Sequence, residues 1–166
     1  MTQPPQTDRF TDVGFDAQYQ YQGSNYWVTL RGTYVHENQT LDASSFYIGA
    51  NPTNTLNTFR AYASLAYGND NRFVLTGQYF NTSGSSDPTL YANLNSCQAP
   101  NTACSPNTDG YIFEIAYIPF ISSQAPVWPW ANVRVGLQYT YYNRFDGDTV
   151  SAHDNNTLFG YIWFAM

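Results

Sequence analysis

Apolar and polar residues alternate with a period of two through most of this chain, and the 3.6-residue repeat of an amphipathic helix is nearly absent. The first run sets Val13, Phe15, Ala17, Tyr19 and Tyr21 against Gly14, Asp16, Gln18 and Gln20, and Gln22-Gly23-Ser24-Asn25 then forms a turn. A second run has Tyr26, Val28, Leu30, Gly32 and Tyr34 opposite Trp27, Thr29, Arg31 and Thr33. A third has Phe59, Ala61, Ala63, Leu65 and Tyr67 opposite Thr58, Arg60, Tyr62 and Ser64, ending at the turn Gly68-Asn69-Asp70-Asn71. Phe73, Leu75, Gly77 and Tyr79 face away from Arg72, Thr76 and Gln78. Tyr111, Phe113, Ile115 and Tyr117 do so from Gly110, Ile112, Glu114 and Ala116. Val133, Val135, Leu137, Tyr139 and Tyr141 form the sixth apolar set, and Leu158, Gly160, Ile162, Phe164 and Met166 the last. Seven strands are predicted.

Charges sort by face. Asp16, Arg31, Arg60, Arg72, Glu114 and Arg134 all fall on the polar set and none on the apolar set. A lipid-facing surface excludes charge in this way, and so does the core of a soluble sandwich. Two further features favour lipid. The runs are 10–13 residues, near the roughly 9–11 of a tilted membrane-crossing strand rather than the roughly 5–6 of a soluble one. Aromatic rings also close the apolar face at its ends, as at Tyr26 and Tyr34 or Phe59 and Tyr67. Rings with an apolar body and a polar tip belong at the two headgroup levels. The predicted fold is therefore an all-β, antiparallel up-and-down transmembrane β-barrel.

The connections agree. Short turns follow the first and third strands, while long loops, Glu37–Thr55, Asn81–Asp109 and Asn143–Asn156, follow the second, fourth and sixth. Short periplasmic turns and long extracellular loops are the outer-membrane pattern. The link Ile118–Pro129 is intermediate, and its prolines suit an irregular turn.

Composition narrows the classes. Aromatics make up 18% of the 166 residues and charged residues only 11%, with a net charge of −6. Disordered chains show the reverse balance. Six arginines and no lysine supply no basic stripe, so no nucleic acid partner is expected. No apolar run approaches the roughly 18 residues of a spanning helix.

Seven strands are an odd number, whereas single-chain bacterial barrels have an even one with both termini in the periplasm. Met1-Thr2-Gln3-Pro4-Pro5-Gln6-Thr7-Asp8-Arg9 also lacks the cationic and apolar regions of a signal peptide. Residues 1–166 therefore read as one barrel segment, the C-terminal part of a larger barrel. Within it 1–9 is an N-terminal extension, 81–109 a long extracellular loop and 157–166 the closing strand. A barrel shared between several chains is the rival reading.

The stretch from Pro129 through Gly147, the segment Asp154-Asn155-Asn156-Thr157-Leu158, and Thr82-Ser83-Gly84-Ser85-Ser86-Asp87 together carry a resemblance. They resemble the C-terminal part of a family of proteobacterial porin-like outer-membrane proteins, large single-chain barrels some of which are linked to cytochrome-based electron transfer. The resemblance covers about the last half of the chain. It implies residence in the bacterial outer membrane and, for the electron-transfer members, a c-type cytochrome as partner. The closing strand also resembles the signal read by the barrel-assembly machinery, with Leu158, Ile162 and Phe164 in its spacing but Met166 where the signal has a terminal aromatic.

Cys97 and Cys104 share the long fourth-to-fifth loop, and outside a bacterium a disulfide between them is the expected state. No metal site is expected, because His36 and His153 sit on other loops. No Cys-x-x-Cys-His occurs, so the chain attaches no c-type haem and calls for no cofactor of its own. His153 beside Asp146, Asp148 and Asp154 reads as a solvated acidic loop, so no enzyme activity is expected. The inward groups are the candidate pore lining: Asp16, Arg31, Arg60, Arg72, Glu114 and Arg134, with Asp12. In a water-filled pore they bias ion selectivity; in a plugged barrel they pair as internal salt bridges. Phe159, Tyr161 and Trp163 narrow the lumen or meet a plug. Three functions follow as expectations: passive passage of small solutes or ions, a sheath for a cytochrome in electron transfer across the outer membrane, and a soluble or surface β-domain acting as an adhesin.

Overall fold

Period-two alternation needs a backbone whose successive side chains point to opposite faces, and every alternating run is a strand. A computed structural model of the chain describes residues 7–94, 97, 104–121, 127 and 130–166. Its strands are β1 (Arg9–Gln22), β2 (Tyr26–Thr40), β3 (Thr53–Tyr67), β4 (Phe73–Gly84), β5 (Thr108–Tyr117), β6 (Asn132–Arg144) and β7 (Thr157–Ala165). They form one seven-stranded sheet in sequence order, antiparallel throughout. The sheet is open: β1 and β7 are its two edges.

The first six strands run further at the loop end than the apolar pattern indicates. β2 and β3 are each 15 residues long, pairing as far as Thr40 with Thr53, and β4 reaches Gly84 opposite Leu56. The ladder is made of backbone bonds, which a polar side chain supports as well as an apolar one. Over this extension both faces are polar, with His36 and Asn38 on one and Glu37 and Gln39 on the other, so the contrast that marks a strand in sequence is absent. At the opposite end the turns are tight. Gly23 N–H donates to the Tyr26 carbonyl at 2.9 Å, and Asn71 N–H to that of Gly68 at 2.9 Å. Asp70 and Asn71 adopt φ of 63° and 56°, a left-handed conformation that Asp and Asn tolerate.

No second layer covers the sheet among the described residues. On the apolar face Leu30, Leu75, Phe113, Ile115, Leu137 and Ile162 remain 45–62% exposed. The buried apolar residues are Leu41, Ala50, Cys104 and Ala152, all in loops, with Val74 and Ala116, which pair across β4 and β5 on the polar face. The core thus sits in the loop cap. A short helix there, α1 (Asp42–Ile48), ends at Gly49 in the left-handed conformation, φ 76°. Residues 1–6, most of the proline-bearing link after Ile118 (122–126, 128 and 129) and the interior of the cysteine loop (95, 96 and 98–103) lie outside the described residues.

Candidate functional site: the polar face and its loop cap

The strand register sets Asp16, Arg31, Arg60, Glu114 and Arg134 on one face of the sheet. The structure groups them as pairs. Arg31 binds Asp16, Nε to Oδ2 at 2.9 Å, and Thr33 Oγ1 donates to the same oxygen at 2.7 Å. Arg134 binds Glu114, and the Tyr161 hydroxyl donates to Glu114 Oε1 at 3.1 Å. The Tyr161 ring lies across Gly136, where an added Cβ would stand 2.4 Å from it; only a glycine admits the ring at that height. Arg72 is not within β4. It ends the Gly68–Asn71 turn and meets Asp70 at 3.3 Å, away from the other five. Arg60 has no carboxylate within ion-pair distance among the described residues.

A hollow of about 750 Å³ lies on the polar face of β1–β4, with Asp12, Arg31, Glu37, Arg60, Tyr62 and Gln78 in its wall. Asp12 and Glu37 stand directly opposite each other across β1 and β2, toward the loop end. Two like charges so placed repel, and water or a counter-charge must separate them. A second hollow, of about 580 Å³, is bounded mainly by Leu65, Leu75, Ile115, Leu137 and Leu158 of the apolar face.

The apolar face has its own order. Toward the loop end Phe15, Tyr34 and Phe59 are cross-strand neighbours. The row continues through Tyr79, with ring centroids 6.3 Å from Phe59 and 5.4 Å from Tyr111. Toward the turns Tyr21 and Tyr26 rings lie 6.0 Å apart and Phe73 and Tyr117 4.9 Å apart, joined by the Tyr26–Tyr67–Phe73 register. The Tyr34 hydroxyl donates to Asn57 Oδ1 at 2.8 Å, so its polar tip leans toward the loops and away from the aliphatic band. Six to eight residues separate the two rows on β2–β5, roughly 20–27 Å at about 3.4 Å per residue.

The loop cap is held by two carboxylates that sequence reasoning did not single out. Asp87 is 1% exposed, and four N–H donors surround it. Oδ2 accepts from Asn51 N at 2.9 Å and Asn54 Nδ2 at 2.8 Å; Oδ1 accepts from Thr89 N and Leu90 N, each at 3.0 Å. Burial pushes this carboxyl up, but the donors from Leu90, Asn54, Asn51 and Thr89 outweigh burial and hold it below the ordinary aspartate value. Asp87 thereby ties the β2–β3 loop to the β4–β5 loop. Asp8 caps α1 from outside, accepting from Ala43 N at 2.8 Å and from Ser44 N and Oγ at 3.0 and 2.5 Å. The Ser44 hydroxyl, then its N–H, lowers the Asp8 carboxyl. Asp87-Pro88 is a turn signature that could have pointed to the first carboxylate; no local pattern announces the second, 35 residues from its partner.

Cys97 and Cys104 are joined by a disulfide with their Cα atoms 4.2 Å apart. In the last loop the Asp148 carboxylate accepts from Val150 N at 2.8 Å and Ser151 N at 3.3 Å, which closes a turn. His153 stacks on Tyr141 with ring centroids 5.2 Å apart. Among the described residues no group of three His, Cys, Asp or Glu is placed to hold a metal. No family model, no curated protein and no solved structure matches this chain.

Proposed function

We infer that the chain is part of a bacterial outer-membrane β-barrel through which small solutes or ions pass passively. One observation carries this reading: among the described residues the sheet is single-layered, its apolar face is bare and bounded by two rows of aromatic rings, and between those rows its charges are confined to the other face. Covering half of a Leu or Phe side chain is worth about 1 kcal/mol, so over the whole face water contact forfeits on the order of 10–20 kcal/mol. That matches or exceeds the whole folding stability of a typical domain, roughly 5–15 kcal/mol. Acyl chains remove the penalty. With strands tilted by about 40°, the ring rows stand about 15–21 Å apart along the membrane normal, inside a lipid-facing band roughly 25 Å tall, and the polar face becomes the lumen. The Gln22–Asn25 and Gly68–Asn71 turns then lie in the periplasm and the cap outside the cell. The resemblance to porin-like barrels supports the same assignment.

Closure follows from direction. In an antiparallel meander of seven strands, β1 and β7 point the same way, so they cannot pair antiparallel with each other. An odd number of further strands between them closes the barrel with antiparallel ladders throughout, as unpaired edges in hydrocarbon require.

Single cysteines along β4 from Phe73 to Tyr79, labelled with an environment-sensitive fluorophore in lipid vesicles, test the reading. Quenching by brominated lipid is expected to alternate, strong at positions 73, 75, 77 and 79 and weak at 74, 76 and 78. Uniform weak quenching, or a monomer soluble without detergent, overturns it in favour of a surface β-domain. A second reading, a sheath around a c-type cytochrome, draws on Phe159 and Trp163, which are 54% and 56% exposed on the otherwise polar face of β7. Haem absorbance that co-purifies with the barrel supports it, and its absence together with steady ionic conductance counts against it.

A further inference from the structure

The charged groups of the polar face are unequal, and their pairing decides which one a passing solute can engage. Arg31 is neutralised by Asp16, and Arg134 by Glu114. At the margins of the sheet Arg72 meets Asp70, Arg144 meets Asp109 and Arg9 meets Asp42. Arg60 alone among the described arginines lacks a carboxylate partner. It is exposed in the wall of the 750 Å³ hollow, opposite Thr33 on β2 and Phe80 on β4, with Thr58 and Tyr62 flanking it on its own strand. Thr33 gives its hydroxyl to Asp16, so Thr58 and Tyr62 are the hydroxyl-bearing side chains left beside a guanidinium that has no ion pair of its own.

We propose that Arg60 is the selectivity-determining residue of this wall and that the site around it takes a small oxyanion, a carboxylate or phosphate group carried by the passing solute. The proposal rests on the reading of the polar face as a lumen. A planar guanidinium offers paired N–H donors that match two oxygens of such a group, whereas a compact cation meets only repulsion there. Asp12 and Glu37 act in the opposite sense. They lie four residues nearer the loops, roughly 13 Å along the strands, and their carboxylates, neither of them in an ion pair among the described residues, favour cations at the outer part of the same hollow. The wall therefore carries charge of both signs in sequence, negative outside and positive at mid-depth. Exchange of Arg60 and exchange of Glu37 then move ion preference in opposite directions.

The test uses the complete polypeptide in planar bilayers, its fold checked by heat-modifiable migration. In a potassium chloride gradient, Arg60→Gln is expected to lower the anion-to-cation permeability ratio roughly twofold to fivefold, the scale of one unit charge met at a few ångströms in water. Arg60→Lys retains most of the ratio, and Glu37→Gln raises it. On the unsubstituted protein, added inorganic phosphate or acetate is expected to reduce the chloride current. A reversal potential unchanged in Arg60→Gln, or no effect of either oxyanion on the unsubstituted channel, overturns the Arg60 site and leaves the pore standing. A folded barrel that passes no current overturns the pore itself, and the site with it.

Discussion

The loop cap and the sheet below it are ordered by opposite means. In the cap Leu41, Ala50 and Ala152 are buried, the carboxylates are ringed by N–H donors, and two loops are laced through Asp87. That is how a protein in water holds together. In the sheet the largest apolar side chains point outward with no described residue over them, and between the aromatic rows the buried side chains are the small Val74, Ala116 and Thr140. Two regions of one chain thus follow opposite rules of burial, and the upper aromatic row marks the boundary. Exposure alone does not reveal this: Val150 in the cap and Leu75 in the sheet are both exposed, and only the company each keeps distinguishes them.

Substitutions can break the two regions separately. Asp87→Ala leaves at least two buried donors without partners, each costing about 1–3 kcal/mol, so the cap is expected to lose on the order of 3–5 kcal/mol. Hydrogen exchange at Asn51, Thr89 and Leu90 should rise while β4–β6 amides stay protected; equal loss in the strands would show that cap and sheet are one cooperative unit. Acid should act in the same place. Because the Asp87 carboxyl sits below its unfolded value, its contribution is complete above the ordinary aspartate range and is lost as pH falls through the lowered folded value. Cap protection should therefore fall at acid pH before strand protection does.

Leu75→Arg sharpens the contrast from the other side. At mid-depth in lipid it is expected to cost about 2–4 kcal/mol, while Val150→Arg in the cap stays within about 0.5 kcal/mol, both read from folding titrations into vesicles. Equal effects would remove the distinction between the regions. Replacing both cysteines by serine frees a short loop and should weaken the cap by about 2–3 kcal/mol, visible as faster proteolysis of that loop with the sheet intact. A smaller loss than that of the disulfide is expected at Gly136→Ala, where the new methyl displaces the Tyr161 ring and loosens its bond to Glu114. A cost of about 1–2 kcal/mol of sheet stability follows, with cap exchange unchanged.

What could be read from sequence divides along the same boundary. Between the aromatic rows the two faces carry side chains of opposite polarity, so alternation carried the strand positions, their order and the sorting of Asp16, Arg31, Arg60, Glu114 and Arg134. Above the upper row polar side chains lie on both faces, and the extensions His36–Thr40, Thr53–Asn57 and Phe80–Gly84 left no periodic trace. Arg72 illustrates a related limit: its parity fits β4, but a residue that ends a turn takes its direction from the turn. Helix α1 was hidden because seven residues give less than two turns of periodicity, and its cap comes from Asp8 on the far side of β1–β2. Pairing of charges was also invisible, since register decides which arginine meets which acid, and the distinctness of Arg60 emerges only once Arg31 is seen on Asp16.

The common direction of β1 and β7 bears on how copies could assemble. Set side by side in one bilayer orientation, two such sheets would bring the tail strand of one against the lead strand of its neighbour, both travelling the same way. Every seam in a ring built from copies of this sheet alone would then be a parallel ladder, with slanted and somewhat weaker bonds. A wall sewn with antiparallel stitching throughout needs other strands at each junction.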